Sequence, residues 1–175
     1  RSLPSFTKLF FCMERQLHTT HNKTETVDLG KEFAARLVPG DIIALYGDLG
    51  AGKTEFVRGV CDFFSVGDIV SSPTFTIINS YSGTLPDDDD DEIRIYHLDL
   101  YRINSERELG EIGFDECMAA EDAIKLVEWA EKAQESMPTS RYSIIFQLDE
   151  NEEDTRHIEV RRTEKTDIIE PIVVA

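Results

Sequence analysis

The segment "GDLGAGKT" at residues 47–54 fits the spacing G-x-x-x-x-G-K-[ST], whose residue types suit phosphate binding. Its three glycines let the backbone turn sharply and bring N–H groups within reach of phosphate oxygens. In this pattern the lysine, Lys53, reaches the β- and γ-phosphates, and the hydroxyl of Thr54 ligates Mg²⁺. The segment therefore predicts a binding site for a nucleoside triphosphate, either ATP or GTP.

Two carboxylates stand at the ends of apolar segments further along the chain. Asp99 closes the strand-like part of "IYHLDLYR", and Glu128 closes "IKLVE". Strand ends of an open parallel sheet face the ligand crevice, so both side chains are candidates for that crevice. Asp99 could position a metal ion or cap the segment that follows it. Glu128 could ligate Mg²⁺, directly or through water, or orient an attacking water. Together with the glycine loop, the pair predicts a hydrolysis site.

Other side chains allow two interpretations each. Thr74 in "SSPTFT" falls where nucleoside triphosphatases place a segment that senses the γ-phosphate, although the residues before it could form a simple turn. His97 is interpreted as sheet packing. Trp129 could cover the site or fill the core at the sheet edge, and the core role is favoured. The Glu55 side chain is expected to point away from the phosphates, because its charge suits the helix dipole but not a triphosphate.

The elements around the glycine loop have the order that such a site needs. Apolar residues after the N-cap candidate Asp28 recur at helical spacing until Pro39-Gly40. The β-branched run "IIALY" predicts a buried strand, and Thr54 to Phe64 predicts a helix. Strand, glycine loop and helix therefore follow one another, as the pattern requires.

The remaining segments predict alternating strands and helices. "SSPTFTIINSY" indicates a loop and then a strand, and "IRIYHLDLY" indicates a strand ending near Asp99. Helices broken at Gly113 precede the short strand "IKLVEW", and two strands across "NEEDT" form a hairpin. The fold class is therefore α/β: a single P-loop NTPase-like domain, with a mostly parallel sheet flanked by helices and a C-terminal β-hairpin.

The chain of 175 residues suits one domain. We expect that domain at residues 23–163, a leader or frayed tail at 1–22, and a C-terminal tail at 164–175. The acidic run within 84–92 is expected to be a solvated loop insertion, because consecutive like charges repel and prefer water. A calcium loop would instead space its ligands around a glycine.

Composition excludes several classes of protein. Hydrophobic residues make up 41% and charged residues 30%, and no apolar run is long enough to cross a bilayer. Three widely separated cysteines argue against a disulfide framework and favour the cytoplasm. A net charge of −17 argues against strong autonomous binding of nucleic acid, since phosphate backbones are held by Lys/Arg patches.

Five segments in this order, "GDLGAGKT", "SSPTFTIINSY", "IYHLDLYR", "EIGFDE" and "LVEW", resemble the TsaE (YjeE) family. The resemblance covers roughly Thr26 to Val160. It implies a small bacterial P-loop ATPase required for threonylcarbamoyladenosine (t6A) formation in tRNA. It also implies a complex with the TsaD and TsaB proteins, through which the chain would reach tRNA indirectly, and ATP and Mg²⁺ as cofactors.

The resemblance also implies roles for individual residues. Lys53, Asp99 and Glu128 would be catalytic, and Thr54, Asp99 and Glu128 would hold Mg²⁺. The residues expected to contact the nucleotide are Gly47, Leu49, Gly50, Ala51, Gly52, Lys53, Thr54, Thr74 and Thr155. Arg156 and Lys23 match nucleotide-side positions of the family less closely.

The chain departs from the family pattern at a few positions. Glu55 stands where the family often has Thr or Ser, which removes one hydroxyl able to touch the α-phosphate. Ala130 replaces the proline that is common after the "EW" pair.

Two other functions fit the same loop. A small-molecule P-loop kinase would need an Arg-rich lid, and apart from Arg161-Arg162 there is no basic cluster to form one. A nucleotide-controlled binding module would use ATP to order a docking surface without needing hydrolysis. Arg102 is the one candidate for an arginine finger in cis, so hydrolysis is expected to be slow alone and completed by a partner.

Overall fold

The structure is a computed structural model that describes residues 15–86 and 88–163. Within these ranges the strands are β1 (Arg15–Thr20), β2 (Ile42–Tyr46), β3 (Ile78–Leu85), β4 (Asp88–Asp99), β5 (Ala123–Glu128), β6 (Arg141–Leu148) and β7 (Arg156–Thr163). The helices are α1 (Lys23–Ala34), α2 (Lys53–Phe63), α3 (Glu106–Glu111), α4 (Phe114–Ala119) and a 3₁₀ helix at Ala130–Ala133. No helix among the described residues is long and apolar enough to span a membrane.

All strands of the described ranges join one sheet in the order β1-β7-β6-β2-β5-β4-β3. The four central strands, β6, β2, β5 and β4, are parallel, whereas β1, β7 and β3 pair antiparallel at the flanks. Strands β6 and β7 form the expected C-terminal hairpin. The α/β fold class and the mostly parallel centre are confirmed. Because β2, β4 and β5 run in the same direction, their carboxyl ends meet at one edge of the sheet.

The sheet has a separate apolar core on each face. In β2, Ile43 and Leu45 contribute to one core, and Ile42, Ala44 and Tyr46 contribute to the other, as the two-residue period of a strand requires. The first core lies under α1 and α2. The second lies under α3, α4 and the 3₁₀ helix. Because β2 is covered on both faces, all of its residues are apolar, which explains the continuous run "IIALY".

Helices α1 and α2 approach each other very closely at two glycines. A Cβ atom added to Gly59 would lie 1.9 Å from the carbonyl oxygen of Val27, and one added to Gly30 would lie 2.2 Å from that of Phe56. Only glycine fits at either position without moving a backbone. This close packing brings the start of α1 beside the glycine loop that precedes α2.

The N-terminal boundary of the domain differs from the expectation. The N-cap of α1 is Asn22 rather than Asp28: its side chain accepts the backbone N–H of Glu25 at 2.9 Å, and the Glu25 carboxylate accepts that of His21 at 2.7 Å. Residues 15–20, which the sequence placed in a tail, form strand β1. The error has a physical reason, because β1 is held by β7, more than 130 residues away. Residues 1–14 and 164–175 lie outside the described ranges.

The acidic insertion at 84–92 is also more ordered than expected. Strand β3 continues to Leu85 and β4 begins at Asp88, so most of the run forms the end of an antiparallel hairpin. The expectation of a loop was therefore wrong for residues 88–92. The pairing is by backbone groups, which does not depend on side-chain charge, and the register has an irregularity between Thr84 and Leu85.

Candidate functional site: the crevice around the glycine loop

The glycine loop connects the end of β2 to the start of α2 and depends on its glycines. Gly47, Gly50 and Gly52 have φ angles of 135°, 78° and 104°, a region that side chains disfavour. A Cβ atom at Gly47 would also lie 2.6 Å from the carbonyl oxygen of Phe146. The loop therefore ends with the N-terminus of α2 directed at the sheet edge, the arrangement that binds phosphate.

A cavity of about 340 Å³ lies over this loop and collects most of the predicted site residues. The predicted residues that line it are Leu49, Gly50, Ala51, Gly52, Lys53, Thr54, Thr74, Asp99 and Glu128. Of the predicted nucleotide contacts, Gly47 and Thr155 are not in its lining. The cavity also has side chains from α1 and β7, which the sequence had indicated weakly through Lys23 and Arg156.

Glu128 and Thr54 contact each other at the bottom of the cavity. The Thr54 hydroxyl donates to the two carboxylate oxygens of Glu128 at 2.9 and 3.1 Å. His97 Nε2 lies 2.8 Å from Oε1 of the same carboxylate, and Glu128 is 3% exposed. His97 was interpreted as sheet packing alone, and this interpretation was incomplete, because its ring binds a predicted metal ligand.

Asp99 is held by the segment that contains Thr74. Its Oδ2 accepts hydrogen bonds from Ser72 Oγ and from Thr74 Oγ1, the latter at 3.0 Å, and its Oδ1 accepts the backbone N–H of Tyr101 at 3.0 Å. Ser72 was missed in the sequence, where it resembled an ordinary turn residue. Its only signal was a hydroxyl two positions before Thr74, which allows both to reach one carboxylate.

Lys53 is buried and folded back against its own loop. Its Nζ donates to the carbonyl oxygens of Gly47 and Asp48, the latter at 2.8 Å, and lies 3.9 Å from the centre of the Trp129 ring. Burial lowers the pKa of Lys53, and nearby carboxylates, Glu128 foremost, oppose that shift. The ammonium group is thus kept at the cavity by carbonyl dipoles and an aromatic face.

Trp129 packs against the second apolar core, as favoured from the sequence, and also lines the cavity, so the core interpretation was incomplete. Its ring is half-buried, lines the cavity, and packs 4.9 Å from the ring of Tyr101. The residue has a φ angle of 58°, which is strained for a side chain of this size. This left-handed turn lets the chain leave β5 directly after Glu128 and place the indole over Lys53.

Glu55 borders the cavity, but its carboxylate is bound elsewhere. Arg58, one turn later in α2, donates to both Glu55 carboxylate oxygens at 2.9 and 2.7 Å. The same guanidinium donates from Nε to the carbonyl oxygen of Val70 at 3.0 Å. The pair therefore ties α2 to the segment that leads to Ser72.

Of the remaining candidates, Arg156 lines the cavity, whereas Thr155 and Arg102 do not. Thr155 Oγ1 contacts His21 Nδ1 at 3.2 Å and Glu152 at 2.7 Å rather than the cavity. The next residue, Arg156, is the first of β7; it lines the cavity, and its Nη2 lies 3.4 Å from the carbonyl oxygen of Gly50. The Arg102 guanidinium lies over the Phe75 ring at 4.3 Å and is not in the cavity lining.

The oxygen pair of Thr54 and Glu128 fits magnesium. Ligands at 2.0–2.1 Å on adjacent corners of an octahedron lie about 2.9 Å apart, close to the 2.9 and 3.1 Å separations found here. No group of three His, Cys, Asp or Glu side chains in the described ranges forms a ready metal cluster. This donor set suits Mg²⁺, which keeps several waters and completes its shell with substrate phosphates.

These features define a P-loop nucleotide-binding protein: a buried strand, a glycine loop with a lysine and a threonine at the helix start, and two carboxylates at neighbouring strand ends. The family model for threonylcarbamoyl adenosine biosynthesis protein TsaE matches residues 20–158. The chain belongs to the TsaE family and has a role in the biosynthesis of threonylcarbamoyladenosine in tRNA.

Individual relatives agree with this assignment. The chain is 41% identical over 128 residues to the tRNA threonylcarbamoyladenosine biosynthesis protein TsaE of Bacillus subtilis, covering 73% of this chain and 74% of that protein. It is 40% identical over 116 residues to the TsaE protein of Rickettsia prowazekii, covering 66% and 74%. The crystal structure of YdiB from Bacillus subtilis superposes with a TM-score of 0.68 at 31% identity, covering 87% of this chain and 88% of that one.

Proposed function

We propose that this protein binds ATP with Mg²⁺ and hydrolyses it slowly as an accessory ATPase of t6A formation, together with TsaD and TsaB. The observation that carries the proposal is the convergence of Lys53, Thr54, Asp99 and Glu128 on one cavity over a glycine loop. We expect the protein to act in the cytoplasm, where thiols such as those of Cys61 and Cys117 stay reduced.

Binding requires the loop residues to exchange partners. Backbone N–H groups of residues 49–54 and the N-terminus of α2 receive the phosphates. Lys53 exchanges the carbonyl oxygens of its own loop for β- and γ-phosphate oxygens, a short swing within the same cavity. Thr54 and Glu128 would hold Mg²⁺, which would supply neutralisation of charge on the transferring phosphoryl group when bound.

Hydrolysis also needs an oriented water molecule. Asp99 is the second carboxylate at this edge, next to Glu128 in the parallel β4–β5 register. Together they organise the metal and the attacking water. Ser72 and Thr74 both donate hydrogen bonds to the Oδ2 atom of Asp99. Their segment must therefore adjust when Asp99 takes up that role.

The cavity rim supports the proposal that a partner completes the site. Leu49, which lines the cavity, is 75% exposed, and Phe75, next to the cavity residue Thr74, is 84% exposed, which is unusual for large apolar side chains. The available cations, Lys23 and Arg156, lie on the α1 and β7 side. Docking of TsaD and TsaB would cover the apolar rim, and the net charge of −17 leaves contact with tRNA to these partners.

The decisive test is the substitution Asp99→Ala. ATP binding by calorimetry should stay within a few fold of wild type, while hydrolysis with TsaD and TsaB present should fall about 100-fold or more. Asp122→Ala is the matched control, since Asp122 is exposed and precedes β5 at the opposite end from Glu128. Wild-type hydrolysis by Asp99→Ala would remove Asp99 from the mechanism. An absence of ATP binding by the wild-type chain would overturn the proposal itself.

The alternatives give different results in the same assays. A nucleotide-controlled binding module predicts that Asp99→Ala, which binds ATP but does not hydrolyse it, supports t6A formation at the wild-type level. A small-molecule kinase predicts a phosphorylated product in a metabolite screen. Tight tRNA binding by the isolated chain at physiological salt would contradict the indirect role assigned to tRNA.

A further inference from the structure

His97 has a buried position that connects it to the functional edge of the sheet. It is 0% exposed and lies on β4, two residues before Asp99. In the parallel pairing of β4 with β5, His97 stands opposite Leu126, while Asp99 stands opposite Glu128. Its ring is therefore diagonal to Glu128 and reaches that carboxylate at 2.8 Å.

The hydrogen bonding of the ring is directed at this one contact. A carboxylate only accepts hydrogen bonds, so Nε2 of His97 carries the proton and donates to Oε1 of Glu128. Nδ1 is buried and has no hydrogen-bond partner among the described residues. A residue that served packing alone would not require a buried polar ring with one unsatisfied nitrogen, which costs free energy.

The contact fixes the orientation of the Glu128 carboxylate. Among the described residues, Oε1 accepts from His97 and from Thr54, and Oε2 accepts only the longer bond from Thr54 at 3.1 Å. The terminal torsion of a glutamate side chain is otherwise loosely defined. With Oε1 held by the ring, one orientation is selected, and Oε2 is the oxygen with the freer lone pairs beside Thr54.

We propose that His97 is a positioning residue that holds the Glu128 carboxylate in the orientation needed to bind Mg²⁺ with Thr54. The proposal rests on the proposed function, because it concerns the metal of the ATP complex. Outer partners of this kind typically change metal affinity 10–100-fold when they are removed. His97 acts through Glu128 and touches neither nucleotide nor metal.

Three substitutions separate positioning from packing. His97→Gln retains an N–H donor close to the place of Nε2, whereas His97→Asn retains a polar amide that is too short to reach Glu128. His97→Leu fills the volume without a donor. Folding of each variant is checked by circular dichroism and thermal unfolding before binding is measured.

The measurement is ATP binding by calorimetry, in EDTA and across a series of Mg²⁺ concentrations. Mg²⁺ is expected to increase the affinity for ATP, and the half-maximal Mg²⁺ concentration for this increase is the quantity compared. We expect it to rise about 10-fold or more in His97→Asn and His97→Leu. His97→Gln should restore most of the wild-type value. Affinity in EDTA should be the same in all four proteins, since the phosphate loop is unchanged.

The outcomes distinguish this inference from the proposed function. An unchanged Mg²⁺ dependence in His97→Asn or His97→Leu, with ATP binding intact, overturns the positioning role and leaves the proposed function standing. The same holds if His97→Gln is as impaired as His97→Asn, because the donor would then be irrelevant. If wild-type protein binds no ATP, or binds it equally with and without Mg²⁺, the proposed function fails and this inference falls with it.

Discussion

Substitution of Gly59 by alanine should separate the two helices that frame the glycine loop. Gly59 lies inside α2 and faces the backbone of α1. Alanine is normally the better residue in a helix interior, by about 1 kcal/mol over glycine. Helix propensity alone therefore predicts that Gly59→Ala stabilises the protein, and the packing of α1 against α2 predicts the opposite.

The magnitude follows from the distances at this position. The new Cβ atom would lie 1.9 Å from the Val27 carbonyl oxygen and 2.7 Å from the Lys31 nitrogen, where real contacts stay above 3.0 Å. Both atoms are backbone, so no side-chain rotation relieves the clash, and α1 must move by about 1 Å. Overpacking of this kind costs about 1–3 kcal/mol, occasionally more. Because the shift involves a whole helix, we expect a cost at the upper end of this range and a net loss of up to about 2 kcal/mol after the propensity gain.

Urea unfolding followed by circular dichroism measures this loss directly. Gly110→Ala is the matched control, because Gly110 lies in α3 and a Cβ atom there has nothing within 4 Å. That variant should gain about 0.5–1 kcal/mol. If Gly59→Ala were as stable as wild type or more stable, the close approach of α1 and α2 would be wrong. ATP affinity should also fall in Gly59→Ala, since α1 places Thr26 against the loop at Gly52.

Two further predictions concern α2 itself. Glu55→Thr should change the Kd for ATP by less than tenfold (~1.4 kcal/mol) in calorimetry, because the Glu55 carboxylate binds Arg58; tighter binding beyond that limit would contradict this placement. Burial raises the pKa of the Cys61 thiol from its ordinary 9.0 to about 12. The folded state thus keeps a proton that the unfolded state releases, and stability is lost as the pH rises from about 9 towards 12, by up to ~1.4 kcal/mol per pH unit. Urea unfolding between pH 8 and 10.5 should show a steeper loss for wild type than for Cys61→Ala, and parallel curves would refute the assignment.

Features with local signals could be predicted from the sequence. The glycine loop has a fixed spacing, and the apolar run before it and the helix after it are contiguous with it. Asp99 and Glu128 each end a strand whose apolar residues precede them directly, so their place at a sheet edge follows from the strand pattern. The break between α3 and α4 also has a local signal, because it falls at Gly113, which has a φ angle of 75°.

Features that depend on distant partners could not be predicted. Strand β1 shows only weak alternation, and its place is decided by pairing with β7. His97 reads as an ordinary strand residue until the β4–β5 register places Glu128, 31 residues later, beside its ring. Trp129 looks like a core residue because its left-handed turn, which moves the indole over Lys53, has no sequence signal of its own.

The contacts around the cavity also explain how a nucleotide could control the protein's surface. Lys53 is bound by loop carbonyls, Thr54 by Glu128, and Asp99 by Ser72 and Thr74. Under the proposed function, ATP with Mg²⁺ would compete for the same atoms, and part of its binding free energy would be used to exchange these contacts. A ligand shifts a conformational equilibrium only by its differential affinity for the two states. The exchange at Asp99 would provide that difference for the segment that also carries the exposed Phe75. Nucleotide binding would thereby be linked to the segment that carries Phe75 through the hydroxyl groups of Ser72 and Thr74.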